Sequence, residues 1–330
     1  MAKVRHSLTG SVDRRSLRPS LRGALTAPFA YPPPLAMNPL PSLRTLLVLG
    51  RVSNLPTIWT NAMAGWFLCG GGWSTTFLWV VLGMSLLYLA GMALNDAFDH
   101  EWDREHAPER PLPSGAISLP WVWSVGLLQM VGGLAFLLLG GGVHPVLAGA
   151  LAAAILVYNW LHKRTKASAL IMGLCRALVY LGAGSAVAVH TGSIEVSPVV
   201  WIVAAFMVLH IVGITLAARS ERLHPPQALS YLQRGLLMLP VLFPFVASRT
   251  SPEGLATTSL IVVGFIGIWS WLVMVRKAFL QSVPDGVTRA IAGIAFYDAA
   301  IVAFADLTAA VLCLGCFALT RFAQRHIPAT

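Results

Sequence analysis

The chain has 330 residues, of which 56% are hydrophobic and only 11% charged, and its mean hydropathy is +0.72. Soluble domains carry about 25% charged residues, so this chain lacks the charge to cover a water-facing surface, and a soluble globular fold is excluded. The net charge of +10 does not point to nucleic acid, because the Lys and Arg residues gather in a tail and in short inter-segment loops, as topology determinants do at anionic lipid.

Backbone groups inside a bilayer must be satisfied within the spanning structure, which leaves helices or closed barrels. The apolar runs here are long and continuous rather than alternating, which excludes a barrel and predicts an all-α membrane bundle. Residues 1–41 form a basic, Pro-rich tail with Lys3, Arg5, Arg14, Arg15, Arg18 and Arg22, ending in Pro32-Pro33-Pro34 and Pro39. It holds no apolar run of signal-peptide length. A disordered cytoplasmic tail, an organellar transit segment and a mis-assigned start upstream of Met37 are its three readings. Residues 42–330 are expected to form one transmembrane domain.

Apolar runs then fall at about 45–68, 75–98, 120–141, 144–162, 168–190, 198–217, 230–248, 257–276 and 287–323, each near or above spanning length. The last exceeds one ordinary span and is expected to break near Ala305-Asp306, so the sequence predicts nine spans, or ten if both parts cross. With the N-terminus inside, the loops after even-numbered spans carry Arg104 and Arg110; Lys163, Arg164 and Lys166; Arg219 and Arg222; and Lys277. Among the opposite loops, 69–74, 142–144, 191–197 and 249–256, only Arg249 is basic. That asymmetry obeys the positive-inside rule, and an error of one span among the first eight would destroy it. Arg321 and Arg325 near the C-terminus fit ten spans better than nine. The eleven tryptophans suit interfacial belts. Cys313 and Cys316 have CxxC spacing but no second ligand pair, so they read as small apolar filler.

The second run ends in Leu94-Asn95-Asp96-Ala97-Phe98-Asp99-His100-Glu101-Trp102-Asp103. On a helix, Asn95, Asp99 and Asp103 lie at roughly 0°, 40° and 80°, and Asp96 at roughly 100°. One amide and three carboxylates thus share a face that begins inside an apolar run. Like charges at these spacings repel, and burying them is costly. A solvated helix end explains Glu101, Glu105 and Glu109 but not this stripe. A divalent cation relieves both costs, and oxygen ligands with an open shell suit Mg²⁺, which joins one or two carboxylates to substrate phosphates. Downstream, Pro108-Glu109-Arg110-Pro111-Leu112-Pro113-Ser114-Gly115 brackets Arg110 with prolines and allows a tight turn at Gly115. An Arg held there can bond phosphate oxygens.

The pattern Asn-Asp-x-x-Asp-x-x-x-Asp followed by Arg-Pro-Leu-Pro-Ser-Gly resembles the first signature of the UbiA superfamily of intramembrane prenyltransferases. With the span count, the likeness extends over about residues 42–323. It implies a UbiA-like bundle that transfers a prenyl group from an isoprenoid diphosphate to an acceptor, with Mg²⁺ held by Asn95, Asp96, Asp99 and Asp103. Tyr158-Asn159-Trp160-Leu161-His162-Lys163-Arg164 is similar to the family's Tyr-x-x-x-Lys-Arg region, one residue longer, and implies Lys163 and Arg164 as diphosphate contacts beside Tyr158. Arg51 and Asn54, early in the first span, match a region where relatives place substrate contacts; a position at the membrane edge is the other reading. Arg176, a charge inside the fifth span, reads as a substrate-pocket or ion-paired residue.

The sequence departs from the family at the sixth span, where a second Asp-rich motif is expected. His210 to Arg222 holds one acid, Glu221, and no aspartate. Arg219, Arg222 and Lys163 are then candidates to absorb diphosphate charge in place of a second metal. Together with SNLPTIWTNAMAGW and MGLCRALVYLGAG, this resembles the EboC-like branch. Asp298 and Asp306, in the last run, either partner Arg176 or cap a helix break. His210 reads as a helix-packing residue. The implied reaction uses Asp96, Asp99, Arg110 and Lys163 as catalytic groups; the alternative is a degenerate member that binds or transports a lipid or amphiphile. A bacterial inner membrane with cytoplasmic active-site loops is expected.

Overall fold

The computed structural model describes residues 41–165, 167–190, 196–220 and 229–328; the tail, Lys166, Glu221 and Arg222 therefore lie outside the described residues. Every regular element among them is helical. In chain order these are α1 (Leu43–Leu49), α2 (Pro56–Phe67), α3 (Thr75–Phe98), α4 (His100–His106), α5 (Leu119–Ala135), α6 (Pro145–Leu161), α7 (Ser168–His190), α8 (Pro198–Ser220), α9 (Tyr231–Met238), α10 (Phe243–Ala247), α11 (Leu255–Gln281), α12 (Val283–Val302) and α13 (Leu307–Ala323).

Six helical stretches are long and apolar enough to cross a bilayer, and α6 and α13 are shorter apolar helices. The all-α membrane bundle expected from composition is present. Helix lengths do not by themselves establish nine or ten crossings, because three of the apolar runs are broken. The first run divides at Gly50 and Arg51: Arg51 takes the left-handed conformation with φ 40°, a short 3-10 turn covers Val52–Asn54, and Pro56 starts α2 at its first helical position, where the missing N–H costs nothing. The seventh run is interrupted by Pro240 and Pro244, which begin a 3-10 turn and α10, since each proline removes a backbone donor. The ninth run breaks after Val302, and Asp306 caps α13 by accepting the Ala309 N–H at 2.7 Å. Of the two roles open to Asp306, capping is the one it fills.

The core is built around α2. Eleven of its twelve residues are buried, and it packs on α3, α7, α12 and α13. That central place explains its small and polar composition: Thr57, Thr60, Asn61, Ala62, Ala64 and Gly65 let neighbours approach closely. A Cβ on Gly65 would lie 2.1 Å from the Tyr180 carbonyl oxygen of α7. By contrast α11 exposes Val263, Ile266 and Met274, the outward apolar face expected of a helix against lipid. All four cysteines are free, with Cys313 buried and its Sγ 3.6 Å from the Met63 sulfur. His210 packs edge-to-face on Tyr297 and is fully buried, as a packing residue should be.

Candidate active site

The acidic run ends α3 and continues, through the cap residue Asp99, into α4. Backbone bonds Asp99 N–H to Asn95 O and Asp103 N–H to Asp99 O carry the helical register across the junction, so the stripe read from the sequence persists in three dimensions. Asn95, Asp96, Asp99 and Asp103 are all buried. Buried carboxylates need partners, and each has at least one cationic side chain.

Asp96 receives Arg51 Nη2 at 3.0 Å. Asp99 contacts Lys163 Nζ at 3.0 Å through Oδ1 and His162 Nε2 at 3.0 Å through Oδ2. Asp103 is bonded by Arg110 Nη1 at 2.7 Å and lies 3.6 Å from the same Lys163 ammonium. Burial alone would push the Asp99 carboxyl up, but the bonds and charges of His162 and Lys163 outweigh it and hold the group below the usual carboxylate range. Gly115 has φ 77°, the left-handed turn that closes the Arg110 loop. Lys163 also lies over the Trp102 ring, 5.0 Å from its centroid.

These groups meet at one end of a cavity of about 370 Å³. Arg51, Asn54, Asn95, Asp99, Asp103, Arg110, Tyr158, Lys163 and Arg176 all line it, and its remaining wall is largely apolar, with Ile58, Met84, Leu87, Leu151, Ile155 and Val179. Asp96 is not in the lining: it sits behind Arg51 and reaches the cavity through that guanidinium. A second recess of about 430 Å³ shares Tyr158, His162 and Lys163 with the first and adds Trp102, Arg164 and Arg219. Arg164 there stacks over Trp160. Arg219 bonds Ser168 Oγ at 2.6 Å and the carbonyls of His162 and Thr165, so it braces the loop carrying Lys163. The structure thus places the sequence-predicted site residues at one cavity or the adjoining recess, except Asp96, which stands one residue back, and Glu221 and Arg222, which lie outside the described residues.

Sequence reasoning passed over His162, although it lies inside the quoted Tyr158–Arg164 run and bonds Asp99. It also passed over Asn159, whose Nδ2 donates to the Gly91 carbonyl and whose Oδ1 accepts from Asn95. Tyr88 was missed too; its hydroxyl donates to the Arg51 carbonyl at 3.0 Å and helps hold that strained residue. Gln324 bonds Asn54 Oδ1 at 3.1 Å from the far end of the chain. Only Asn159 and His162, both inside the Tyr158–Arg164 run, carried a local signal.

The fit of Mg²⁺ rests on the donor set. No cluster of three or more His, Cys, Asp or Glu residues is close enough to bind a metal among the described residues. Asp99 and Asp103 nevertheless already share one cation, the Lys163 ammonium, through Oδ1 of each. Two carboxylates completed by phosphate oxygens and water are an ordinary Mg²⁺ shell. The residues fit the ion.

A sequence model of the UbiA prenyltransferase family matches residues 55–283. The chain is 38% identical over 105 residues to protoheme IX farnesyltransferase of Geobacter sulfurreducens, a stretch that is 31% of this chain and 39% of that protein. It is 32% identical over 132 residues to digeranylgeranylglyceryl phosphate synthase of Metallosphaera sedula, 39% of this chain and 44% of the relative. The matches thus span less than half the length of these curated relatives. In fold it is similar to the apo structure of a UbiA homolog from Aeropyrum pernix K1, with TM-score 0.61 and 18% identity over 77% of this chain and 98% of that one. A structure determined in work on digeranylgeranylglyceryl phosphate synthase in membranes aligns with TM-score 0.53 and 20% identity, covering 84% of this chain and 99% of its own.

Proposed function

From the premise that this chain belongs to the UbiA prenyltransferase family, we propose that it transfers a prenyl group from an isoprenoid diphosphate to an acceptor within the membrane. One observation carries the reading: the buried carboxylates Asp99 and Asp103 cluster with Arg110 and Lys163 at a cavity whose remaining lining, Arg176 and a few polar groups apart, is largely apolar. A substrate with a highly charged head and a hydrocarbon tail has that same division.

The diphosphate occupies the polar end. Asp99 and Asp103 would hold Mg²⁺, with Asn95 beside them, and the bound ion supplies neutralisation of phosphate charge. Arg110 and Lys163 contact the diphosphate oxygens and stabilise the charge that grows as the allylic C–O bond lengthens. Arg51 reaches the same oxygens and is oriented by Asp96. Tyr158 lies at the wall shared by both recesses, where its ring face can shield an allylic cation. The apolar wall excludes water until the acceptor attacks. Arg164 and Arg219 act from the second recess, on the loop that carries Lys163; Glu221 is assigned to the substrate with them.

The finer proposals follow the sequence. Nine or ten spans rest on the apolar runs, and cytoplasmic catalytic loops on the loop-charge asymmetry; a bacterial inner membrane is the location proposed with them. Placement in the EboC-like branch rests on the aspartate-free sixth span.

The test is diphosphate release from geranyl diphosphate by nanodisc-embedded protein, with Mg²⁺ or EDTA and a cell extract as acceptor source. Mg²⁺-dependent release that disappears in Asp99→Asn establishes the transferase. A second reading, a degenerate member that binds or carries an amphiphile, is favoured by α8, which contains no carboxylate from Pro198 to Ser220. Tight donor binding without release selects it.

A further inference from the structure

A second charged centre lies deeper in the bundle. Arg176 stands eight residues into α7, about 12 Å from its start, and lines the cavity. Both of its hydrogen bonds use Nη1, to Thr57 Oγ1 at 2.9 Å and Asn61 Oδ1 at 2.8 Å. It makes no ion pair with an acid among the described residues. Guanidinium does not lose its proton in proteins, and an intramembrane charge faces a partner or a cavity.

Asp298 of α12 is its counterpart. It is fully buried and accepts from Thr60 Oγ1 at 2.6 Å, from Asn61 Nδ2 at 2.7 Å and from the Tyr180 hydroxyl. Three donors aimed at its two oxygens satisfy the buried carboxyl group. Asn61 therefore stands between opposite charges, its carbonyl toward Arg176 and its amide toward Asp298. A direct pair would have consumed the guanidinium's fork. Separated by one amide, the acid offsets the charge of the arginine while leaving its remaining nitrogens free of the network.

We infer that Arg176 is an anion-recognition subsite for the second substrate, and that the acceptor carries a carboxylate or phosphate group read by this guanidinium. Resting on the transferase reading, the subsite lets one cavity bind two anions at once: the diphosphate at the Asp99–Lys163 end and the acceptor's acid group at Arg176. Asn61 and Asp298 are positioning residues, acting through Arg176. Asn54, which lines the same cavity, belongs to this wall.

The same chemistry could be drawn from the donor's diphosphate, so the test separates the two. Hexanoate, with hexanamide as neutral isostere, is titrated into nanodisc-embedded protein with and without saturating geranyl diphosphate and Mg²⁺. The expected result is that hexanoate binds, hexanamide does not, and the donor fails to displace hexanoate. Arg176→Gln weakens hexanoate about tenfold or more, as loss of a charge-assisted bidentate contact should, and leaves geranyl diphosphate affinity within about twofold of wild type. Arg176→Lys restores part of the hexanoate affinity. Equal binding of hexanamide, full displacement by geranyl diphosphate, or unchanged affinity in Arg176→Gln overturns the subsite. The first two of these outcomes are read on the wild-type protein and do not depend on a variant folding. Failure of geranyl diphosphate to bind would instead strike the transferase reading and leave the hexanoate results to stand alone.

Discussion

Arg51 and Asp96 form an ion pair of 3.0 Å across the junction between the broken first helix and the end of α3. Arg51 does so from a left-handed backbone conformation, which costs a non-glycine residue roughly 1–3 kcal/mol. The pair and the Tyr88 bond to the Arg51 carbonyl offset that cost and aim the guanidinium into the cavity.

It follows that Asp96 and Arg51 act as a unit. Asp96→Asn and Arg51→Gln should each lower turnover, and the double variant should be little worse than the more damaging single one. A double-mutant cycle on diphosphate release measures the coupling; simple additivity would show that the two act separately.

Asp99 and Asp103 face the cavity directly, so their effects should be larger. Asp99→Asn or Asp103→Asn is expected to reduce turnover by about 10² or more, the size typical of removing one electrostatic stabiliser. Steady-state diphosphate release with Mg²⁺ at several concentrations checks this, and wild-type turnover in either variant would remove that residue from the site.

Lys163 shares its ammonium between Asp99 and Asp103, the place assigned to the metal. Lys163→Gln should leave two buried carboxylates under-compensated in EDTA and lower the melting temperature. Mg²⁺ should then stabilise the variant more than it stabilises wild type. Equal Mg²⁺ shifts in the two proteins would show that ion and ammonium do not share a place.

The buried network around Asp298 also carries a prediction about stability. Asp298→Ala leaves the donors of Thr60, Asn61 and Tyr180 unsatisfied, at about 1–3 kcal/mol for each group, so a loss of at least ~3 kcal/mol is expected in denaturant unfolding. Asp285→Asn breaks the half-exposed pair with Arg289 and should cost less than about 1 kcal/mol.

Gly65 supports the same network from the other side. Its Cβ-free face meets the Tyr180 backbone, and Gly65→Ala would force α2 away from α7, moving Asn61 relative to Arg176. Overpacking of this kind costs about 1–3 kcal/mol. Thermal unfolding should show the loss, and hexanoate binding should weaken with it.

The sequence by itself determined whatever depends on one helix at a time. Hydropathy marked the apolar runs because a membrane helix must satisfy its own backbone. Helical periodicity put Asn95, Asp99 and Asp103 on one face, and that register survives the α3–α4 junction. The break before Asp306 was legible because its carboxylate caps α13 locally. Pairing was not legible. Asp96 turns to Arg51 and Asp99 to His162 and Lys163, partners that lie 45, 63 and 64 positions away, respectively, while Asn61 meets Asp298 from 237 positions away. Such choices depend on how helices cross and on which side chain fills the gap between two charges. Only tertiary packing, with α2 threaded among α3, α7, α12 and α13, decided that Arg176 and Asp298 would stand one amide apart.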